Sequence, residues 1–467
     1  MRELPIVVVG AGVTGLSAAH ALLRGGADVV LLEASTRCGG NVRTVRRSGC
    51  VLDEGPDAWI ASKPAATELA HALGLGPRIV ETDPAHRTTF VADERGLVPL
   101  PDGMMLGIPT RLLPMVRTPL LSFRGKLRAA LDVVLPEGFG RGADDDESIG
   151  AFVARRLGDE VRDRIAEPLL GGIFHGDVDR LSLRATFPQL AALEAHGGLI
   201  RGSRALARRA RGKSPFLSLR GGLDELTTAL RTRLGDRIRC GVGVQRIDRL
   251  GEGLVVHTDR GSIVAREVIV ATPAHASARI VASLDAQLAH ELAEIRHASS
   301  TTVFLGFSRR LLPPLDGTGY LVPARLGRAA ASSTWVTSKW RERAPDDVAV
   351  LRVFFRTCAP RDEEAIALAH DELRTALGIV APSTFQHVAR FPNATPVPEV
   401  GHLARIGRIR ARLAAIPRVH LAGNGFDGFG ISDCIRQGER LAREILARVL
   451  QVKPQGRAES VDGPWYE

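Results

Sequence analysis

Short apolar runs of strand length alternate with helically spaced segments at the start of the chain. Ile6–Val9 is the first run, glycines follow it at positions 10, 12 and 15, and a helical pattern begins there. Val29–Glu33 is a second apolar run, and it ends in a carboxylate. A strand, a helix and a second strand in this order predict a parallel sheet with the helix packed on one face.

The later pattern predicts more sheet. We predict short strands at 240–247, 254–258 and 261–264, and a buried strand from Glu267 to just before Pro273. Between residues 300 and 400, Thr302–Phe307 has the composition of a mostly buried strand. In another strand, Arg352 lies opposite an apolar row formed by Ala349, Leu351, Val353 and Phe355. This alternation predicts a second sheet with one side facing the core.

Residues 102–213 have mostly helical spacing and include one basic, amphipathic stretch. Its apolar positions follow a helical period, with cations elsewhere on the wheel, and they are Leu120, Phe123, Leu127, Leu131 and Val134. Two interpretations are open. The stretch is either a helix that binds a membrane surface or an ordinary helix whose apolar side packs on the core.

The glycine spacing after the first strand fits a dinucleotide-binding turn. Gly10 permits the tight turn, Gly12 lets a pyrophosphate approach the backbone, and Gly15 lets the helix pack closely on the strand. The free N–H groups of the helix N-terminus then face the phosphate charge. Glu33 follows at the distance where an acid accepts hydrogen bonds from an adenosine ribose. Because strand, turn, helix and acid occur together, the sequence predicts a bound dinucleotide.

Composition is typical of a globular protein. The 467 residues are 45% hydrophobic and 24% charged, and 62 Lys and Arg against 52 Asp and Glu give a net charge of +10. Such a charge is compatible with nucleic acid, anionic lipid or an anionic substrate. Nucleic acid is not expected, because no nucleic-acid motif occurs and aromatic residues make up only 4%. Five scattered cysteines without a CxxC pair indicate neither a disulfide framework nor a metal site.

No uncharged apolar segment reaches the length of a membrane span, and the N-terminal apolar run is broken by glycines where a signal peptide would continue. We therefore expect a cytoplasmic protein.

Two glycine-rich segments carry a resemblance to a flavoprotein family. The run Glu33–Gly40, with Arg37, Gly39 and Gly40, resembles the second nucleotide signature of the FAD-containing amine oxidase superfamily. The segment Val419–Cys434 resembles the last FAD signature of its oxygen-dependent protoporphyrinogen/coproporphyrinogen III oxidase branch. The resemblance implies non-covalent FAD, and it assigns cofactor contacts to Arg37, Gly39, Gly40, Val244, Gly423, Asn424, Gly430 and Ile431. Within that set, it places the pyrophosphate and ribityl at Gly423 and Asn424, and the edge of the isoalloxazine ring at Gly430 and Ile431.

Three further runs resemble the same branch, so that the resemblance covers nearly the whole chain: 170–177, 181–188 and 316–323. It implies that the backbone at Gly172 lines a porphyrinogen pocket, that Arg87 pairs with a substrate propionate, and that Leu321 packs on the macrocycle. An arginine fork suits a carboxylate on chemical grounds as well.

The implied activity is oxidation of a porphyrinogen in heme biosynthesis, by three two-electron hydride transfers to flavin, with O2 as acceptor and release of H2O2. Flavin carries the chemistry, so no catalytic side chain is assigned, and His175 is interpreted as a loop residue.

Alternatives exist within and outside this class. Gly317–Gly319 and the tryptophans at 335 and 340 look more like the coproporphyrinogen branch, although Thr318 stands where some relatives place an aromatic ring. An amine oxidase shares the FAD motifs, but many carry a flavin-facing lysine where this chain has Thr302. A carotenoid desaturase would have an apolar pocket without propionate partners. A non-catalytic carrier on the same fold would have lost the FAD signatures, which are intact.

The expected fold class is α/β: a Rossmann-type FAD-binding domain, a mixed-sheet substrate domain, and a helical region that caps the substrate or touches the membrane. The FAD-binding domain is expected at 1–85, 214–274 and 403–452, and the substrate domain at 86–101 and 275–402. The helical region is 102–213, and 453–467 is a tail. Porphyrinogen and O2 are the expected partners, with peripheral contact to the inner face of the cell membrane.

Overall fold

The computed structural model describes residues 4–140, 142, 146–194, 198–209, 214–251, 253–358 and 361–451, so the predicted tail lies outside the described residues. The strands are β1 (Ile6–Val9), β2 (Val29–Glu33), β3 (Thr44–Arg47), β4 (Cys50–Asp53), β5 (Trp59–Ile60), β6 (Ile79–Glu81), β7 (Thr89–Asp93), β8 (Gly96–Pro99), β9 (Met104–Met105), β10 (Ile108–Pro109), β11 (Phe216–Leu219), β12 (Ile238–Cys240), β13 (Val244–Leu250), β14 (Gly253–Thr258), β15 (Gly261–Ala265), β16 (Glu267–Val270), β17 (His297–Ser308), β18 (Gly319–Leu321), β19 (Ala330–Trp335), β20 (Val348–Phe355), β21 (Phe385–Pro396) and β22 (Val419–Leu421).

The helices are α1 (Val13–Arg24), α2 (Ala65–Ala72), α3 (Leu112–Arg117), α4 (Phe123–Ala130), α5 (Ile149–Leu157), α6 (Asp159–Val161), α7 (Gly172–Phe174), α8 (Leu183–Thr186), α9 (Pro188–Glu194), α10 (Leu199–Arg209), α11 (Asp224–Leu234), α12 (Ala274–Val281), α13 (Ala286–Ala293), α14 (Val336–Lys339), α15 (Asp362–Leu377), α16 (His402–Ala414) and α17 (Ile431–Gln451).

A five-stranded parallel sheet is built from the apolar runs that the sequence predicts as strands. Its order is β12-β2-β1-β16-β22, and every pair is parallel. Both faces are covered: α1, α2, α11 and α17 pack on one, and the β13–β15 hairpins with α12, α13 and α16 pack on the other. This explains the continuous apolar runs, because a parallel sheet is buried on both sides. The carboxyl ends of its strands share one edge, where the glycine-rich turns lie.

A seven-stranded mixed sheet forms the second layer system, with the order β21-β17-β20-β19-β18-β7-β8. Only β7 and β18 pair in parallel. The predicted alternation in β20 is confirmed, since its apolar row packs with α15 in one core cluster and Arg352 points to the other side. That other side faces the loop at Glu54 and Gly55, next to the parallel sheet.

Residues 102–209 are mostly helical and enclose their own core. A ten-residue π-helical segment, Arg162–Gly171, leads into α7. At the centre, the fully buried guanidinium of Arg156 donates to Asp132 at 2.7 Å and lies 3.6 Å from Glu194, so its charge is paired.

The basic amphipathic stretch differs from the sequence expectation of one continuous helix. Leu120 precedes α4 and is buried, whereas Phe123, Leu127, Leu131 and Val134 are 76%, 55%, 50% and 73% exposed. The apolar row therefore faces outward, and the core-facing interpretation of this helix is wrong. Among the described residues, no helix combines the length and apolar character needed to cross a membrane.

The two sheets draw on separated parts of the chain. The parallel sheet takes strands from residues 6–33, 238–270 and 419–421, and the mixed sheet takes strands from 89–99 and 297–396. The division into three domains stays a prediction.

Candidate functional site

The glycine-rich turn after β1 leaves a space that only the missing Cβ atoms make possible. Gly10 has a positive φ of 98°, and a Cβ there would lie 2.9 Å from the Ala271 carbonyl oxygen. A Cβ on Gly15 would lie 1.9 Å from the carbonyl oxygen of Gly10, so helix and turn are in contact. At Gly12, in contrast, a Cβ would meet no described protein atom within 4 Å. Gly10 and Gly15 fold the turn, and Gly12 faces open space.

The N-terminus of α1 and the end of β2 border this space. Gly12 is the N-cap of α1, no side chain caps the helix, and its first turn has no acidic residue, so the dipole is available to an anion. The Glu33 carboxylate accepts hydrogen bonds from the Ala11 amide at 2.7 Å and from the Ser35 amide and hydroxyl at 2.9 and 2.8 Å. A carboxylate has about four acceptor sites, so one remains for a ribose hydroxyl.

The loop after β2 lies directly over the glycine-rich turn. The Gly39 amide donates to the Ala11 carbonyl at 2.8 Å, and a Cβ on Gly40 would lie 3.1 Å from the Gly12 Cα. Arg37 is exposed, and its guanidinium donates to the Gly40 carbonyl at 2.6 Å. The guanidinium also donates to the Cys38 carbonyl at 3.1 Å, so Arg37 braces the loop on the rim of the space.

The structure brings Val244 close to the end of β2. The amide of Val242 donates to the Glu33 carbonyl at 2.9 Å, and Val244 begins β13 two residues later, half-buried. A Cβ on Gly243 would lie 4.0 Å from the Ala34 Cβ. Val244 is therefore near Glu33, although the two residues are far apart in sequence.

The C-terminal glycine loop lies at the same sheet edge. It follows β22, next to β16, and a Cβ on Gly423 would lie 3.9 Å from the Thr272 carbonyl. The Gly430 amide donates to the Asn424 side-chain oxygen at 3.3 Å, Gly430 itself has a φ of 95° with no atom in Cβ reach, and Ile431 begins α17. Cys434 in α17 is buried, and burial raises the pKa of its thiol to about 11. A protonated thiol fits a non-covalently held cofactor.

A cavity of about 170 Å³ opens beside Gly430 and Ile431. It is lined by both charged and aromatic side chains, among them Asp57, Trp59, Lys63, Phe216, Lys339 and Phe429. The chain has only five lysines among 62 basic residues, and two of the five are in this one cavity. The ammonium groups of these lysines pair with Asp433 and Asp57, so the cavity holds two ion pairs beside the loop that is predicted to hold the edge of the flavin ring.

Asp57 forms an ion pair and a second hydrogen bond at the wall of this cavity. One of its oxygens accepts from the Lys339 ammonium at 2.8 Å and from the Trp340 indole N–H at 3.0 Å. Burial alone would raise the pKa of Asp57, but the charges of Lys339 and Arg352 outweigh it and hold the pKa well below its usual range. For Arg352, burial lowers the pKa to about 10, while Asp57 and Asp53 oppose that shift. Asp57 and Arg352 therefore both stay charged at neutral pH.

Gly172 begins α7, and that helix packs against the glycine-rich loop after β22. A Cβ on Gly172 would meet no described atom within 4 Å, and Phe174 in the same helix packs edge-on against Phe429 with 5.0 Å between ring centroids. His175, which follows, has its pKa lowered by burial and by the charges of Arg352 and Arg356, so its imidazole is neutral at pH 7.

Leu321 ends β18, and Arg87 precedes β7, the strand that pairs with β18. Leu321 is half-buried at the end of β18, where the Arg356 guanidinium contacts Glu167 of the π-helical segment at 3.4 Å and donates to the Val322 carbonyl. Arg87 is exposed just before β7, and it has no hydrogen bond or ion pair to any described residue. The segment before it is anchored to the cavity wall, because the Asp83 amide donates to the Lys339 carbonyl at 3.0 Å.

Sequence reasoning missed Asp57, Lys63, Lys339 and Arg352. The scarcity of lysine was a usable signal for two of them. Nothing in the sequence indicated that Lys63, which follows β5, and Lys339, which ends α14, would meet in one cavity.

Comparison with known proteins agrees with this geometry. The family model described as flavin containing amine oxidoreductase matches residues 13–446. The chain belongs to the flavin containing amine oxidoreductase family. It is 33% identical to coproporphyrinogen III oxidase of Bacillus subtilis strain 168, over 94% of this chain and 97% of that protein. It is 34% identical to coproporphyrinogen III oxidase of Propionibacterium freudenreichii, over 96% of this chain and 92% of that protein. A solved structure from Exiguobacterium sp. 255-15, described as a protoporphyrinogen oxidase, has 32% identity and a TM-score of 0.86 over 96% of this chain and all of that one.

Family membership makes the chain an FAD-dependent oxidoreductase, and the residues present fit FAD. The open spaces at Gly12 and Gly430 are cradles that a Cβ would fill, and Glu33 and the α1 N-terminus match its ribose and its phosphates. The predicted α/β class and the cofactor are confirmed. The individual cofactor and substrate contacts stay predictions.

Proposed function

We propose that this protein oxidises coproporphyrinogen III to coproporphyrin III in heme biosynthesis. The observation that carries the proposal is the end-to-end similarity to coproporphyrinogen III oxidases, three of which are 31–34% identical over at least 94% of this chain. Protoporphyrinogen oxidases of chloroplasts match as well, at 26–27% identity. Oxidation of protoporphyrinogen IX is therefore the second candidate.

An exposed arginine supports a substrate that carries carboxylates. Arg87 has no partner among the described residues, whereas the ammonium groups of Lys63 and Lys339 at the cavity are already paired with Asp433 and Asp57. We assign Arg87 to one propionate as a planar fork. Gly172 would let the macrocycle approach the backbone, and Leu321 would pack on its face.

The chemistry that FAD supplies when bound is hydride acceptance from a methylene bridge and electron transfer to O2, with release of H2O2. The side chains bind and orient the tetrapyrrole, so no catalytic side chain is required. The imidazole of His175 is neutral at pH 7, and we assign it no role.

Anaerobic mixing separates this proposal from its rivals. Coproporphyrinogen III should reduce the flavin of FAD-loaded protein and so remove its absorbance near 450 nm. Benzylamine and a carotene precursor should leave that absorbance unchanged. Bleaching by an amine alone would make the protein an amine oxidase. A purified protein that never retains flavin would indicate the carrier.

We also propose peripheral contact with the cytoplasmic face of a membrane through the exposed row at Phe123, Leu127, Leu131 and Val134. The row is apolar, solvent-facing and interleaved with cations at Arg124, Lys126 and Arg128. A helix of this kind lies in the interface plane and gains from anionic lipid.

A further inference from the structure

Two cysteines that are 202 residues apart in sequence touch at the adenosine end of the nucleotide site. The Sγ atoms of Cys38 and Cys240 lie 3.5 Å apart, and both residues are partly exposed. The other three thiols point elsewhere: those of Cys50 and Cys358 contact the Ser48 and Ser300 carbonyls, and that of Cys434 contacts Thr14.

The backbone on both sides holds these sulfurs together. Cys240 ends β12 and pairs with Glu33 of β2, and the next amide, that of Gly241, donates to the Ser35 carbonyl at 2.9 Å. On the other side, the Gly39 amide is fixed to the Ala11 carbonyl. Since a disulfide is about 2.05 Å long, the sulfurs need to approach by roughly 1.5 Å to form a bond.

We propose that Cys38 and Cys240 are a modification site: a thiol pair that a peroxide oxidises to a reversible disulfide. One thiolate attacks the peroxide, its sulfur takes up OH as a sulfenic acid, and hydroxide leaves. The second sulfur then attacks the sulfenic sulfur, the S–S bond forms, and water leaves. Two thiols and one H2O2 give one disulfide and two waters. A dithiol reductant reverses the reaction.

The surroundings of Cys38 make this oxidation slow. Burial, then Cys240 and then Glu33 raise the pKa of the Cys38 thiol to about 12, while Arg231 acts in the opposite direction. Because the thiolate is the reactive form, brief exposure to peroxide leaves the pair reduced, and sustained exposure oxidises it. The pair thus records accumulated peroxide rather than its momentary concentration.

The disulfide would clamp the nucleotide loop. Cys38 stands between Arg37 and Gly39, in the loop that presses Gly40 against Gly12. A bond to β12 would tie that loop to the edge of the parallel sheet, so FAD would leave the oxidised protein more slowly. This inference rests on the loop geometry and on FAD as the cofactor of the family, and it does not depend on which substrate is oxidised.

The test uses full-length FAD-loaded protein treated with millimolar H2O2 for an hour. Thiols are then alkylated, and peptides are mapped by mass spectrometry without reduction. We expect a peptide that links Cys38 to Cys240, its loss on treatment with dithiothreitol, and FAD release slowed at least threefold after dilution. Cys358→Ser is the matched control and should behave like wild type, whereas Cys240→Ser and Cys38→Ser should form no such link and show no slowing.

Recovery of both cysteines as alkylated thiols, or oxidation of Cys38 to sulfinic acid while Cys240 stays free, would overturn the proposed pair. A linked peptide with unchanged FAD release would overturn the clamp. Wild-type mapping keeps the result decisive even if a variant folds poorly.

Discussion

Gly12 and Gly407 share one property: a Cβ at either position would meet no described protein atom within 4 Å. They differ in what surrounds the open space beside them. Gly407 lies on the exposed side of α16, and Gly12 borders the open space between α1 and Glu33. Substitution at the two positions therefore separates a cost to the fold from a cost to the cofactor.

Gly12→Leu should purify folded but without bound FAD, because the new side chain occupies the space for the pyrophosphate and leaves the protein contacts intact. Gly407→Leu should retain a full equivalent of FAD. Flavin absorbance per polypeptide, with circular dichroism as the check on folding, measures both. Full FAD occupancy in Gly12→Leu would show that the cofactor binds elsewhere.

Arg87 carries the assigned propionate contact, and its removal should appear as a loss of affinity. Arg87→Ala removes a charged hydrogen-bond partner worth roughly 1.5–3 kcal/mol. We expect KM for coproporphyrinogen III to rise about ten- to a hundredfold with little change in kcat, because the propionate changes little at the transition state. Arg87→Lys should restore part of the affinity.

The matched control is Arg95→Ala, since Arg95 is also exposed, in the turn between β7 and β8 at the far end of the strand. Equal KM values for Arg87→Ala, Arg95→Ala and wild type would move the propionate anchor to another cation.

The stability that the Asp57–Lys339 ion pair contributes to the protein depends on pH. The folded-state pKa of Asp57 is depressed, so its contribution to stability is present above the unfolded pKa of about 4 and is lost as pH falls below it. Lys339→Met should therefore lower the unfolding free energy by about 1–3 kcal/mol at pH 7, and the gap to wild type should narrow below pH 4.

Thermal unfolding across pH 3–7 measures this gap. Arg374→Met removes an ion pair to Asp371 in which both side chains are more than half exposed, so it should change stability little at any pH. A gap for Lys339→Met that stays constant across the whole range would mean that Asp57 is not charged in the folded protein.

At the scale of elements, the α4 region is the place where the burial of the apolar residues differs from what their helical spacing indicates. Helical spacing of apolar residues is usually evidence for a core-facing side, and Leu120 does face the core. The rest of the row faces solvent, because α5 and the π-helical segment already fill the core of residues 102–209. Periodicity alone identifies an apolar face but not what covers it.

Flotation with vesicles that contain anionic lipid tests the proposed role of this row. Wild-type protein should float at low salt and be released as salt rises, because its cations contribute to binding. Phe123→Asp combined with Leu127→Asp should abolish flotation with little cost in stability, since both side chains are more than half exposed. Val380→Asp, at an 83% exposed apolar position elsewhere, should float like wild type. Absence of wild-type flotation at low salt would rule out the membrane contact.

At the scale of the whole molecule, the predicted nucleotide site draws on three parts of the chain that meet at one sheet edge: the turn at Gly10–Gly15, the strand ends near Val244, and the loop at Gly423–Gly430. The sequence predicts these parts well, because glycine and strand patterns are local. It also predicts that Arg352 faces away from the α15 side of its sheet, since alternation along one strand is local too.

Other features could not be predicted, because they depend on which loops meet. Lys63 and Lys339 are joined only by the cavity, and Cys38 and Cys240 only by the pairing of β2 with β12. A single sequence contains no signal for a contact across 202 residues when neither partner belongs to a motif that specifies the other.

The most direct test of the account is steady-state oxidation of coproporphyrinogen III by the purified FAD-loaded protein, with protoporphyrinogen IX and benzylamine in parallel. Porphyrin fluorescence and peroxide are recorded together. We predict coproporphyrin III and about three equivalents of H2O2 per porphyrin, from three two-electron steps, with kcat/KM at least tenfold lower for protoporphyrinogen IX. Peroxide formed from the amine, with no porphyrin formed from either porphyrinogen above the rate of the protein-free control, would contradict the account.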